Sequence, residues 1–108
     1  MKYILSTTIL FLAMQLQAQI KKAPEEIQPL LVKYTCATCH NVDKKFVGPS
    51  YQDISAKGYK AKEIIELIAN PKPSNWPTFV PMVGIKNVPK KDAKAIADWI
   101  VSLSSKKN

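Results

Sequence analysis

The stretch Cys36-Ala-Thr-Cys-His40 places two thiols and an imidazole within five consecutive residues. Thiols three residues apart in a helical turn point to the same side, so they can add to the two vinyl groups of one porphyrin. The imidazole of the next residue can then turn towards the porphyrin iron. The pattern therefore predicts one covalently attached haem, held by Cys36 and Cys39 and ligated by His40.

Three other sites compete for the same cysteines: a structural zinc site, a redox-active thiol pair and a simple disulfide. Zinc needs four ligands, usually two pairs, whereas the chain has two cysteines and one histidine. A thioredoxin-like pair needs βαβ surroundings, which the sequence does not indicate. A disulfide would close a very short ring and leave His40 unexplained. The haem hypothesis accounts for all three residues and is therefore favoured.

A second iron ligand is predicted by elimination. Met1 and Met14 fall in a predicted leader, so Met82 is the only methionine in the rest of the chain. It follows Pro81 in a loop, away from any helical stripe of apolar residues. A lone methionine is often core filler, and that alternative stays open, but the position favours ligation. Pairing His40 with Met82 would raise the reduction potential of the iron and leave no open site for oxygen.

The elements that must position these residues are predicted to be helices, because no segment shows a convincing strand alternation. A first helix begins near Pro29 and runs towards Cys36. A short helical turn follows Ser50, which can cap it, and ends at Gly58. The next two helices are predicted to run from residue 60 to 69, ending before Pro71, and from Pro89 through a stripe of buried residues at helical spacing: Ala93, Ile96, Ile100 and Leu103.

The long loop between these last two helices, residues 70–88, holds four prolines at positions 71, 73, 77 and 81. Loops of this length are uncommon inside a compact domain unless they have a function. The prolines stiffen the loop because each fixes its own φ angle. We therefore expect a stiff loop that carries Met82.

Residues 1–18 are predicted to be a signal peptide. Lys2 supplies the positive start, residues 4–14 the apolar run, and Ala18 the small residue before cleavage. The apolar run is well short of the roughly 20 residues that span a bilayer. We therefore predict export to the periplasm, no stable membrane insertion after cleavage, and one domain over residues 19–108.

The charge of the chain is carried by lysine alone, with sixteen lysines, no arginine and eight acidic residues, for a net charge of +8. Nucleic acid binding is disfavoured because the chain is predicted to be exported and has no nucleic-acid-binding motif. An acidic protein partner or an anionic membrane surface fits better, with the charge acting mainly on the encounter rate. A merely solvated basic surface is the alternative.

Three stretches resemble a small single-haem class I cytochrome c of bacteria, the soluble periplasmic type. They are KYTCATCH at 33–40, FVGPSY at 46–51 and WPTFVPM at 76–82. The resemblance implies an all-α fold of three to four helices wrapped around one haem, with the first and last helices packed together. It also implies that the carbonyl of Pro49 accepts a hydrogen bond from His40, and that the indole of Trp76 donates to a haem propionate.

The same resemblance implies the function of an electron carrier between respiratory redox partners, and not of an enzyme. The segment around Met82 is poorer in proline than is common in that family. A haem enzyme or gas sensor, in which Met82 does not bind iron, is the alternative from another class. It is disfavoured because the only histidine is already used as a ligand, which leaves no general acid or base.

Overall fold

The computed structural model describes residues 21–105, so the predicted signal peptide lies outside the described residues. Within this range the chain forms four α-helices and two short 3₁₀ turns. The last helix, α4, contacts each of the other three. The predicted all-α fold, with its first and last helices in contact, is confirmed. The bounds are α1 Gln28–Lys33, α2 Tyr51–Ala56, α3 Ala61–Ala69 and α4 Lys90–Ser105, with 3₁₀ turns at Cys36–Thr38 and Pro73–Asn75.

The hydrophobic core lies along one face of α4. Ile96, Ala97 and Ile100 are almost completely buried there, while Leu103 is only partly buried, contrary to the prediction from its spacing. Trp99 meets the ring of Tyr51 edge to face, with 5.0 Å between the ring centroids. Ala93, near the start of α4, is also buried, as predicted. The other buried apolar residues come from the first half of the chain and from α3: Ala23, Ile27, Leu31, Tyr34 and Ile64.

The predicted helix ends agree with the structure in the middle of the chain. The side chain of Ser50 accepts the backbone N–H of Asp53 at 3.0 Å and caps α2. Gly58 follows α2 with φ 80°, a left-handed conformation that glycine adopts without steric cost. α3 ends at Ala69, because the residue before Pro71 is pushed out of the helical region.

The first helix ends earlier than predicted. It stops at Lys33, and Thr35 has φ 63°, which is uncommon for a residue other than glycine. The chain therefore changes direction before Cys36, and Cys36–Thr38 forms a separate 3₁₀ turn in which Thr38 N–H donates to the carbonyl of Thr35 at 3.2 Å. This break separates the turn that carries the cysteines from α1.

Two side-chain contacts fix α4 near its two ends. The hydroxyl of Tyr34, just after α1, donates to Asp92 at 2.5 Å. The buried hydroxyl of Ser55 in α2 lies 2.6 Å from that of Ser104 and accepts the Ser104 backbone N–H at 2.9 Å. The hydrogen bond to Asp92, then burial and the charge of the carboxylate, raise the pKa of Tyr34 above its ordinary value. The bond therefore favours the protonated phenol in the folded chain.

We predict that Tyr34→Phe lowers the free energy of unfolding near neutral pH, because it removes the hydrogen bond to Asp92. The phenol of the unfolded chain ionises near pH 10, whereas the phenol of the folded chain ionises only at a higher pH. The stability of the wild-type protein therefore falls as the pH increases above about 10 towards the raised pKa of the folded state. Phenylalanine has no such proton to lose. The difference between the two proteins should therefore narrow above about pH 10 in guanidinium unfolding curves.

Asp98→Asn is the control for this comparison. It breaks the exposed Lys94–Asp98 ion pair on the same helix. Exposed pairs of this kind contribute little to stability. A difference between wild type and Tyr34→Phe that stays constant with pH would contradict the linkage to the phenol.

Candidate cofactor site

One cavity of about 570 Å³ brings together all the residues that the sequence singled out. This volume lies within the range of small-molecule and cofactor sites, and the walls are predominantly apolar, as such sites usually are. The sequence-predicted residues that line it are Cys36, Cys39, His40, Pro49, Trp76 and Met82.

The two cysteines enter the cavity from the 3₁₀ turn after Thr35. The backbone N–H groups of Cys39 and His40 both donate to the carbonyl of Cys36, at 3.1 and 3.0 Å, which keeps the turn tight. Both thiols are free and half-buried, and burial raises the pKa of Cys36. Residues 21–105 contain no group of three or more side chains placed to hold a metal ion, whereas a structural zinc site needs four ligands.

The ring of His40 is held on two sides. Its Nδ1 lies 2.6 Å from the carbonyl oxygen of Pro49. A carbonyl can only accept, so Nδ1 carries a proton and donates it, which leaves Nε2 as the ring nitrogen that can act as a ligand. The backbone of Gly48 packs against the ring, because a Cβ there would come within 2.6 Å of Cε1. The sequence therefore needs glycine next to Pro49 to leave room for the imidazole.

Met82 lines the same cavity from the loop after α3, and its side chain is partly exposed, at 39%. The residues just after it are tied to the end of α3, since Ile85 N–H donates to the carbonyl of Ile68 at 2.8 Å. A Cβ at Gly84 would clash with the carbonyl oxygen of Ala69, so only glycine allows this close approach. The position of Met82 is thus set by backbone contacts that follow it, in addition to the prolines that precede it.

Sequence reasoning missed Tyr51, which also lines the cavity. Its hydroxyl is the only buried side-chain polar atom in residues 21–105 without a hydrogen-bond partner. Its ring lies 5.5 Å from that of His40. Burial, and then the charges of Cys36 and Cys39, raise the pKa of Tyr51 well above its ordinary value, so it stays a neutral phenol. A buried donor without a protein partner indicates that something else completes its surroundings.

These observations fit the haem that the sequence predicts. Two thiols, the imidazole of His40 and the thioether of Met82 line the same cavity, and these are the groups that would hold a covalent haem and its iron. Apolar side chains of α3 and α4 form much of the remaining wall: Ile64, Leu67, Ile68, Ile96 and Ile100. The helical spacing of these residues in the sequence is the signal that could have identified them.

Comparison with known proteins gives a family match over most of the chain. The family described as cytochrome c matches residues 25–104. Cytochrome c-551 of Pseudomonas denitrificans is 39% identical over 72 residues, which cover 63% of this chain and 85% of that protein. Cytochrome c-552 of Nitrosomonas europaea is 39% identical over 79 residues, covering 68% of this chain and 75% of the relative.

Two solved structures share the fold. The crystal structure of wild-type Nitrosomonas europaea cytochrome c552 superposes with a TM-score of 0.64 at 38% identity, covering 70% of this chain and 98% of that one. The class 1 cytochrome MtoD from Sideroxydans lithotrophicus ES-1 gives a TM-score of 0.60 at 25% identity, covering 71% and 91% of the two chains. The folds agree over nearly the whole length of each solved structure.

We predict that Gly48→Ala displaces the ring of His40. The added methyl group overpacks the space against the imidazole, at a cost of about 1–3 kcal/mol. It should therefore change the visible spectrum of the haem-loaded protein as well as lower its melting temperature.

Gly58→Ala is the matched control. It strains a left-handed residue at a cost of roughly 1–2 kcal/mol, but a Cβ there meets no atom within 4 Å. This variant should lose stability and keep the wild-type spectrum. Identical spectra in both variants would show that Gly48 does not set the position of the imidazole.

Proposed function

The chain belongs to the cytochrome c family, and on that premise we propose that its haem iron is bound between His40 and Met82 and that it carries electrons between redox proteins of the periplasm. Members of this family are electron carriers and not enzymes, and they bind a covalent haem c. The proposal therefore concerns the ligands, the partners and the compartment. The observation that supports it best is the meeting of Cys36, Cys39, His40 and Met82 in one apolar cavity.

The protein's own residues prepare the site for its cofactor. When bound, haem supplies a one-electron couple of its iron, and a methionine opposite a histidine favours the reduced state. The hydrogen bond to Pro49 fixes the orientation of His40, so that Nε2 would be available to bind the iron. The thioether of Met82 would supply the second protein ligand. Trp76, which also lines the cavity, would donate its indole N–H to a propionate.

Electron transfer between proteins requires an accessible cofactor edge. Four apolar residues line the cavity and are also exposed, with exposed fractions between 39% and 84%, and we call them the apolar rim: Val47, Val80, Met82 and Val83. The rim marks the side of the cavity that is open to a partner. Lys72 lines the same cavity, and Lys45 lies 5.9 Å from the ring of Phe79 in its wall. Cations around an apolar contact favour a partner with an acidic surface.

Export to the periplasm is part of the same proposal. Residues 1–18 carry the pattern of a signal peptide. We therefore assign residues 19–108 to the exported cytochrome domain. Sequencing the N-terminus of the protein purified from a periplasmic fraction would test both the cleavage after Ala18 and the compartment.

We predict that Met82→Ala lowers the midpoint potential and opens the iron to small added ligands, because the axial thioether is lost. Haem should stay attached through denaturing gel electrophoresis, since the thioether bonds to Cys36 and Cys39 are untouched. Redox titration and imidazole binding measure the two effects.

Val83→Ala is the control, because it shortens the next, strongly exposed side chain of the same loop. It should change neither the potential nor the binding of imidazole. A Met82→Ala protein with the wild-type potential would exclude Met82 as a ligand.

We also predict that electron transfer to an acidic partner slows by roughly tenfold or more as salt rises, because steering by surface charge is screened. At physiological ionic strength the screening length is about 8 Å. Lys72→Gln should reduce the rate at low salt, whereas Lys94→Gln, whose ammonium is already paired with Asp98, should reduce it little. Equal effects of the two substitutions would show that overall charge acts without a defined docking surface.

A further inference from the structure

An aromatic pair forms part of the cavity wall. The rings of Trp76 and Phe79 meet edge to face, with 6.0 Å between their centroids and 79° between their planes. Phe79 N–H donates to the carbonyl of Trp76 at 3.1 Å, and Trp76 N–H donates to that of Pro73 at 3.0 Å. The two rings are therefore fixed to each other by the backbone as well as by their own contact, which is one of the favoured aromatic geometries.

A lysine lies over the face of the tryptophan in this pair. Nζ of Lys57 is 4.6 Å from the centroid of the Trp76 ring, well within the range of a cation–π interaction, and tryptophan is the aromatic side chain that attracts cations best. The same ammonium donates to the carbonyl of Asn75 at 3.4 Å. Lys57 thus contacts both the ring of Trp76 and the backbone just before it.

The backbone of Lys57 is fixed independently of these contacts. It is the residue that ends α2, and its N–H donates to the carbonyl of Ile54 at 3.2 Å. Gly58 then turns the chain away with its positive φ. In residues 21–105 the only ion pair joins Lys94 and Asp98, so no carboxylate neutralises the ammonium of Lys57. Its positive charge is therefore available to interact with Trp76 and with a group bound in the cavity.

Trp76 belongs to the segment of the cavity wall that has the most N–H donors. Four residues with N–H-bearing side chains line the cavity, and three of them, Lys72, Asn75 and Trp76, come from one segment of five residues. The fourth, His40, has its N–H engaged with Pro49. Haem carries two carboxylates on the edge away from its vinyl groups, and a partly buried carboxylate is stabilised by N–H donors and cations. Segment 72–76 has the chemistry to receive that edge.

We propose that Lys57 is a positioning residue for the haem: by stacking on Trp76 it holds the indole N–H towards a haem carboxylate, and its positive charge raises the reduction potential of the iron. The proposal rests on the function proposed above. It adds a residue that does not line the cavity and acts through one that does. Reduction places one more electron on the haem, so a fixed cation nearby favours the reduced state.

The test uses the haem-loaded protein in three variants. Lys57→Met keeps most of the aliphatic length and loses the charge. Lys57→Arg keeps both the charge and the ability to stack on an aromatic ring. Lys94→Met is the matched control, because it changes the net charge by the same amount at an exposed site on α4. Should Lys57→Met assemble poorly, Lys57→Gln replaces it.

Two quantities are measured at low ionic strength, where surface charge is least screened. They are the midpoint potential and the hydrogen-exchange rate of the Trp76 indole N–H, read by NMR in the reduced protein. We expect Lys57→Met to lower the midpoint potential and to speed the exchange of the indole N–H. Lys57→Arg should keep both quantities near their wild-type values, and Lys94→Met should change neither. The indole readout separates positioning from a simple effect of charge.

A Lys57→Met protein that matches Lys94→Met in both quantities would overturn the inference. A lowered potential with an unchanged exchange rate would overturn the positioning role. Failure of the proposed function is distinguishable, because wild-type protein would then lack covalent haem, or Met82→Ala would leave the potential unchanged.

Discussion

The structure depends on one constraint: the side chains that hold the helices together are also the walls of the cavity. Tyr51, Ile64, Ile96 and Ile100 are buried core residues, and each of them lines the space that a cofactor would fill. A domain of this size buries too little apolar surface to be strongly stable on its own. Haem therefore completes the core, and because it stays covalently attached to the unfolded chain, it stabilises the folded state only through the apolar contacts that it makes there.

The two proposed iron ligands are positioned in different ways. His40 follows directly on the cysteine turn and is held by Pro49 and Gly48, so its orientation is set by a hydrogen bond and by contact over a short span of chain. Met82 lies forty-two residues later, and its place depends on the attachment of Gly84 and Ile85 to the end of α3. The histidine side is consequently a local structure, whereas the methionine side depends on contacts with the end of α3.

This difference also explains which features of the structure can be predicted from the sequence and which cannot. The haem motif, the cap at Ser50 and the end of α3 before Pro71 depend on neighbouring residues, and the structure has the helix ends where local rules put them. The early end of α1 depends on the left-handed Thr35, a conformation that its residue type does not favour. The buried hydroxyl of Tyr51 and the lysine over Trp76 arise from contacts between distant segments, which no local pattern encodes.

An electron carrier must expose apolar surface beside its cofactor, and exposed apolar surface also promotes self-association. The apolar rim meets the first requirement, and the net charge of +8 in the full chain counters the second, because copies of the protein repel one another. The acidic partner proposed above would be attracted by the same lysines that make two copies repel, so this charge would favour the partner over self-association. The excess of lysine over acidic residues thus offsets the tendency of the exposed apolar rim to self-associate.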